Sequence, residues 1–115
     1  MQRKQLRIAA VMVVVIAGTQ AKAQTVFATD HKNDAEVRVF VAEYQHDADL
    51  VVYKTKYKAD AEGNKGLWYF SEYKNDAKKT IFFTPYKTDA SLIIYFTEHP
   101  GDAGWKHKGK EYLMY

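Results

Sequence analysis

The stretch HDADLVVYKTKYKADAEG, residues His46 to Gly63, carries an Asp-Ala pair near each end, and the two pairs stand 13 positions apart. The pair occurs six times in the chain, with Asp34, Asp47, Asp60, Asp76, Asp89 and Asp102 spaced by 13, 13, 16, 13 and 13 residues. A fixed period marks a repeated structural unit, and it governs the reading of every residue inside it. Aligned on Asp-Ala, the units begin at Val26, Val39, Val52, Trp68, Ile81 and Ile94 and cover residues 26–106. Lys65, Gly66 and Leu67 are three extra residues in the long interval.

Each column of the repeat has a physical reading. The second position is always aromatic (Phe27, Phe40, Tyr53, Tyr69, Phe82, Tyr95), and the fourth is always small (Thr29, Ala42, Thr55, Ser71, Thr84, Thr97). The sixth is Tyr or His: His31, Tyr44, Tyr57, Tyr73, Tyr86 and His99. Side chains alternate along an extended strand, so these three columns share one face. Runs such as LVVY and SLIIYF are apolar on both faces, as in a sheet covered on both sides. The runs are too short and too rich in β-branched and aromatic residues for helices. The prediction is an all-β fold of six tandem 13-residue strand-turn repeats in one domain. Strands of about seven residues alternate with turns of about five, a hairpin length. On these residues alone the simplest arrangement is a meander or small barrel. The repeated aspartates read as structural turn residues, each accepting hydrogen bonds from N–H groups just downstream, with the alanine leaving room for close packing.

The first stretch stands apart. MQRKQLR is basic, Ile8 to Gly18 is an apolar run of 11 residues, and TQAKA ends in a small-x-small pattern. This is the anatomy of a secretory signal spanning residues 1–23, cut between Ala23 and Gln24. The run is shorter than the roughly 20 residues of a membrane-spanning helix, so no span is expected after cleavage. The expected destination is the periplasm or the cell exterior. Four of the 17 basic residues lie in this leader, leaving 13 against 14 acids in residues 24–115, a net charge of −1. The nominal charge of +3 therefore argues for no nucleic-acid partner. There is no cysteine, hence no lipidated amino terminus and no disulfide framework. Core packing must hold residues 24–115, and all 17 aromatic residues fall there.

Polar residues offer four functional readings. Asp34 with Glu36, Asp47 with Asp49, and Asp60 with Glu62 resemble the acidic pairs of calcium loops. The second acid is replaced by Lys78, Ser91 and Gly104 in the later units, so no metal and no cofactor are expected. His31, His46, His99 and His107 lack zinc-site spacing, although a fold can bring His31 and His99 together because both fill the sixth column. No nucleophile motif or phosphate-binding glycine loop is present, which points away from an enzyme; hydrolysis by a carboxylate pair is a third-ranked alternative. Tyr44, Tyr57, Tyr73 and Tyr86, interleaved with Lys58, Lys74 and Lys87, form the candidate binding face for a glycan or a protein. The competing role for these rings is as lids on the core. Beyond the repeats, WKHKGKEYLMY ends on an apolar segment, so residues 107–115 are expected to dock on the body rather than fray.

The segments HDADLVVYKT, KNDAKKTIFFT, TDASLIIYFTEH, GDAGWKHKGK and EYLMY resemble the septoil knot domains, small proteins of uncharacterised function. The resemblance implies a deeply knotted, β-rich chain path with seven crossings. It supplies no functional residue. Lys56 and Pro85 depart from the acidic fifth position, Glu62 to Leu67 enlarges one turn, and Pro85 removes a ladder donor, as at an edge or bulge. The reading that results is an exported, non-enzymatic structural or binding module.

Overall fold

The computed structural model describes residues 23–115; residues 1–22, the bulk of the predicted signal segment, lie outside the described residues. The repeat alternates short strands with short 3-10 turns. The strands are β1 (Thr25–Ala28), β2 (Val37–Val41), β3 (Leu50–Lys54), β4 (Leu67–Phe70), β5 (Lys79–Phe83) and β6 (Leu92–Phe96). The turns are η1 (Lys32–Asp34), η2 (Gln45–Asp47), η3 (Lys58–Asp60), η4 (Lys74–Asp76), η5 (Lys87–Asp89) and η6 (Pro100–Asp102), each ending on the repeated aspartate. A two-residue β7 (Gly104–Trp105) and a 3-10 helix η7 (Lys108–Met114) finish the chain.

The strands are ordered β4-β1-β5-β2-β6-β3, and β4 pairs back to β3, closing a six-stranded barrel. All six pairings round the barrel are parallel, and only β7 runs antiparallel, against β3. The β-rich class is as expected, but the hairpin connections are not. Strands are four or five residues long rather than seven, and consecutive strands are not neighbours except β3 and β4.

The register explains how such short links join parallel strands. Ile81 of β5 is level with Ala28, the last residue of β1, and also with Val37, the first of β2. The link through residues 29–36 therefore crosses one strand, about 10 Å at ordinary strand spacing, and never returns along the barrel axis. A parallel crossover that must return needs a dozen residues or more. The stagger of β2 relative to β1 removes that requirement.

The chain thus makes two laps. β1, β2 and β3 form the first, β4, β5 and β6 the second, and each strand of one lap sits beside strands of the other. In a ring of six positions, steps of two would bring the fourth strand back onto β1. The step from β3 to β4 covers one position instead, and this is where Lys65, Gly66 and Leu67 are inserted. Gly66 has φ +86°, and an added Cβ would run into the Val51 carbonyl and come within 3.0 Å of the Gly104 nitrogen. It occupies the seam where one edge of β3 passes from β7 to β4.

The interior is built from the first column: Val26, Val39, Val52, Trp68, Ile81 and Ile94 are all fully buried. Because the laps alternate round the ring, the valines of lap one alternate with the larger Trp68, Ile81 and Ile94 of lap two. Alternating volumes let a narrow barrel fill without voids. The third column repeats the device at one mouth, where Phe70, Phe83 and Phe96 meet pairwise at 6.3 Å between ring centroids. Ala28, Val41 and Lys54 stand between them in ring order, and the Lys54 ammonium lies 5.3 and 4.9 Å from the Phe70 and Phe96 centroids. The second column faces the other way: its six aromatic residues are only half-buried, on the outer surface. At the other end, Met114 is fully buried in the core, with Leu113 and Trp105 packed against it.

Candidate functional site

The turns carry the candidate residues, and their construction is local. In each, the aspartate N–H donates to the carbonyl of the sixth-column residue, as from Asp34 to His31 at 3.0 Å and Asp60 to Tyr57 at 3.0 Å. The alanine N–H closes the next bond, as from Ala48 to the Gln45 carbonyl at 3.1 Å. The aspartates thus contribute through the main chain, not by the downstream carboxylate bonds expected. The hydroxyls of the fourth column do the capping instead. Thr29, Ser71, Thr84 and Thr97 accept the N–H two residues on, from His31, Tyr73, Tyr86 and His99, at 3.1 to 3.2 Å. Small size was the visible feature of this column; the Ser/Thr hydroxyl is the informative one.

This geometry holds the sixth column outward. Tyr44, Tyr57, Tyr73 and Tyr86 are 59, 69, 68 and 68 % exposed, so the rings do not act as lids on the core. They ring the barrel in the order of the strands that precede them.

Adjacent turns of opposite laps leave a notch between them. One is lined by Tyr69, Ser71, Glu72, Tyr73, Asp76 and Thr25, with Lys58 from the neighbouring turn, and encloses about 300 Å³. The same columns line a second notch of about 260 Å³, with Phe40, Glu43, Tyr44 and Asp47 facing Lys87. A third, of about 350 Å³, places Tyr95, Glu98, His99 and Asp102 opposite Gln45. Between η1 and η5 the walls are bridged: Lys32 Nζ lies 2.8 Å from Asp89, which also takes Arg38 at 3.1 Å and the Thr84 hydroxyl at 3.2 Å. The Lys32 hydrogen bond leads the causes that hold the Asp89 carboxyl below its ordinary pKa.

Asp49 is the most engaged carboxylate. Its Oδ2 accepts the Ile93 N–H at 2.9 Å and Lys110 Nζ at 3.1 Å, and its Oδ1 lies 2.9 Å from His107 Nδ1. Its main-chain carbonyl accepts the Lys106 and His107 N–H groups. Burial works against the charged form, yet the Ile93 N–H, His107 and Lys110 together outweigh it and hold the pKa below the ordinary value. Glu36 makes the equivalent bond to the Thr80 N–H at 3.0 Å. These second acids of the calcium-like pairs therefore tie one lap to the other, which their neighbours along the chain gave no sign of. Glu62 is exposed, and Ala23 pairs with it in an isolated antiparallel bridge.

Among the described residues no three His, Asp or Glu side chains come together as a metal site. His31 and His99 follow β1 and β6, which are not neighbours in the ring. His46 stacks on Tyr44 at 5.8 Å, and His107 belongs to the Asp49 cluster. Among the described residues no helix is long and apolar enough to cross a membrane.

The family model described as the 7(1) septoil knot domain matches residues 23–106. No curated protein and no solved structure matches the chain.

Proposed function

For a chain that belongs to the septoil knot domain family, we propose an exported, non-enzymatic binding module that presents its tyrosine belt to a glycan or protein on a cell surface. The observation that carries this reading is the exposure of Tyr44, Tyr57, Tyr73 and Tyr86 at equivalent positions of a rigid ring. Amphipathic rings held out on short turns supply contact area at little cost in conformational entropy. Repetition round the barrel suits a repetitive surface, where several weak contacts combine. Engagement of Glu36 and Asp49 in inter-lap bonds supports a non-catalytic role for the acids that stood out in sequence. The interlaced laps would serve as the scaffold, knotted as the family description has it, keeping the module intact outside the cell without disulfides.

The test compares the wild-type protein with a variant carrying Tyr→Ala at all four positions, in a binding assay on washed bacterial envelopes. The expected result is at least a tenfold loss of bound protein with the fold retained. Equal binding by both proteins rejects the belt as the contact surface.

A further inference from the structure

We infer that the open notches between turns are single-residue sugar subsites for a neutral, gluco-configured oligosaccharide; this rests on the belt reading above. Three notches share one lining, drawn from the second, fourth, fifth, sixth and ninth columns plus the seventh of the next turn. A column-by-column coincidence in three places is a property of the repeat, not of one loop. Their volumes of about 260 to 350 Å³ lie at the small end for ligand pockets, the size of a monosaccharide rather than a protein side-chain cluster.

The lining matches the chemistry of a pyranose. In the notch beside η4, Tyr69 is half-buried and Tyr73 is 68 % exposed, so one ring forms the floor and the other a free wall. A pyranose with equatorial hydroxyls turns C–H groups to such ring faces and its hydroxyls to the rim. There Glu72 and Asp76 accept hydrogen bonds and Lys58 donates them, while the Ser71 hydroxyl is held by the Tyr73 carbonyl at 2.9 Å. Two carboxylates against one ammonium disfavour an anionic sugar. The bridged notch between η1 and η5 shows the alternative: with Lys32 and Arg38 both on Asp89, its donors and acceptors are satisfied internally. Among the described residues Lys58 and Asp76 form no such ion pair, which leaves their hydrogen-bonding capacity for a ligand.

The probe is cellohexaose, titrated into the protein as purified while amide and tyrosine signals are followed by NMR, with hexagalacturonate as the anionic comparison. Saturable shifts centred on Tyr69, Tyr73 and Ser71, at least tenfold weaker in Tyr73→Ala and several-fold weaker in Asp76→Asn, support the inference. No shift at about 10 mM cellohexaose, above any useful single-site affinity, overturns it. So do shifts centred on Phe70, Phe83 and Phe96, or stronger binding of hexagalacturonate. If cellohexaose fails while envelope binding stays tyrosine-dependent, the sugar assignment falls and the belt stands; if both fail, both fall.

Discussion

The Gln24 side-chain amide donates to the Met114 carbonyl at 2.9 Å, joining residues 90 positions apart inside the barrel. Both residues are fully buried. The start of the first strand and the end of the last helix thus meet at one mouth, where Met114 seals the core and Asn64 Nδ2 holds the Glu111 carbonyl at 3.0 Å.

Met114→Ala is expected to destabilise the protein by about 2–4 kcal/mol, the usual range for truncating a buried large apolar side chain. Met114→Leu should cost under about 1.5 kcal/mol, because it conserves volume. Equilibrium denaturation measures both. A change below about 0.5 kcal/mol in Met114→Ala would mean the tail is not part of the folded core.

The Asp49 cluster sets an acid limb. A carboxyl with a folded pKa below the unfolded value of about 3.9 contributes stability that is fully present above that pH and is lost as pH falls through the folded value. Asp49→Asn keeps an acceptor for the Ile93 N–H but removes the charge facing His107 and Lys110. Expected is a loss of roughly 1–2 kcal/mol at neutral pH, discounted for the exposure of the lysine, and a flatter stability profile in acid. An unchanged acid limb in the variant would place the titration elsewhere.

Gly66→Ala is expected to cost at least about 2 kcal/mol, since it combines a left-handed backbone with collision against the Val51 carbonyl. A Cβ added at Gly101 would meet nothing within 4 Å, so Gly101→Ala is the matched comparison and should be nearly neutral. Similar melting temperatures for the two variants would contradict the seam described at Gly66.

Single Tyr→Ala changes at Tyr57 and Tyr73 are expected to shift stability by less than about 0.5 kcal/mol, as for exposed surface positions. Thermal melting distinguishes this from a lid role, which would cost several times more.

Unfolding is expected to be slow, because strands of one lap must withdraw from between strands of the other before the sheet separates. Manual-mixing denaturation should give half-lives of hours or longer near the transition midpoint. Complete unfolding within seconds in mild denaturant would show that interlacing places no barrier.

Much of this architecture was legible in the residues. The Asp-Ala period placed six strands and six turns, because a turn needing a fixed local geometry recurs wherever the chain folds in the same way. The tyrosines of the sixth column were visible as a row for the same reason. The faces were harder. Alternation left open which face of the repeat looks inward; the first column, Trp68 and Ile81 among it, fills the barrel, which puts second-column rings such as Phe40 and Tyr69 outside. The bonds of Asp49 to His107 and Lys110 left no trace in spacing, since they join segments about sixty residues apart. The volume alternation between laps stands in the first column, as Val, Val, Val against Trp, Ile, Ile, and acquires meaning only once the laps are known to interleave.

By itself, the sequence determined the repeat, the β class and the existence of a tyrosine row, because these follow from local alternation and turn chemistry within 13 residues. Only the tertiary structure decided that the strands are parallel, that two laps share one ring, that the notches form between turns of different laps, and that Asp49 belongs to the tail. Those are relationships between residues well separated along the chain, and side-chain periodicity carries no record of which distant strand fills the space beside it.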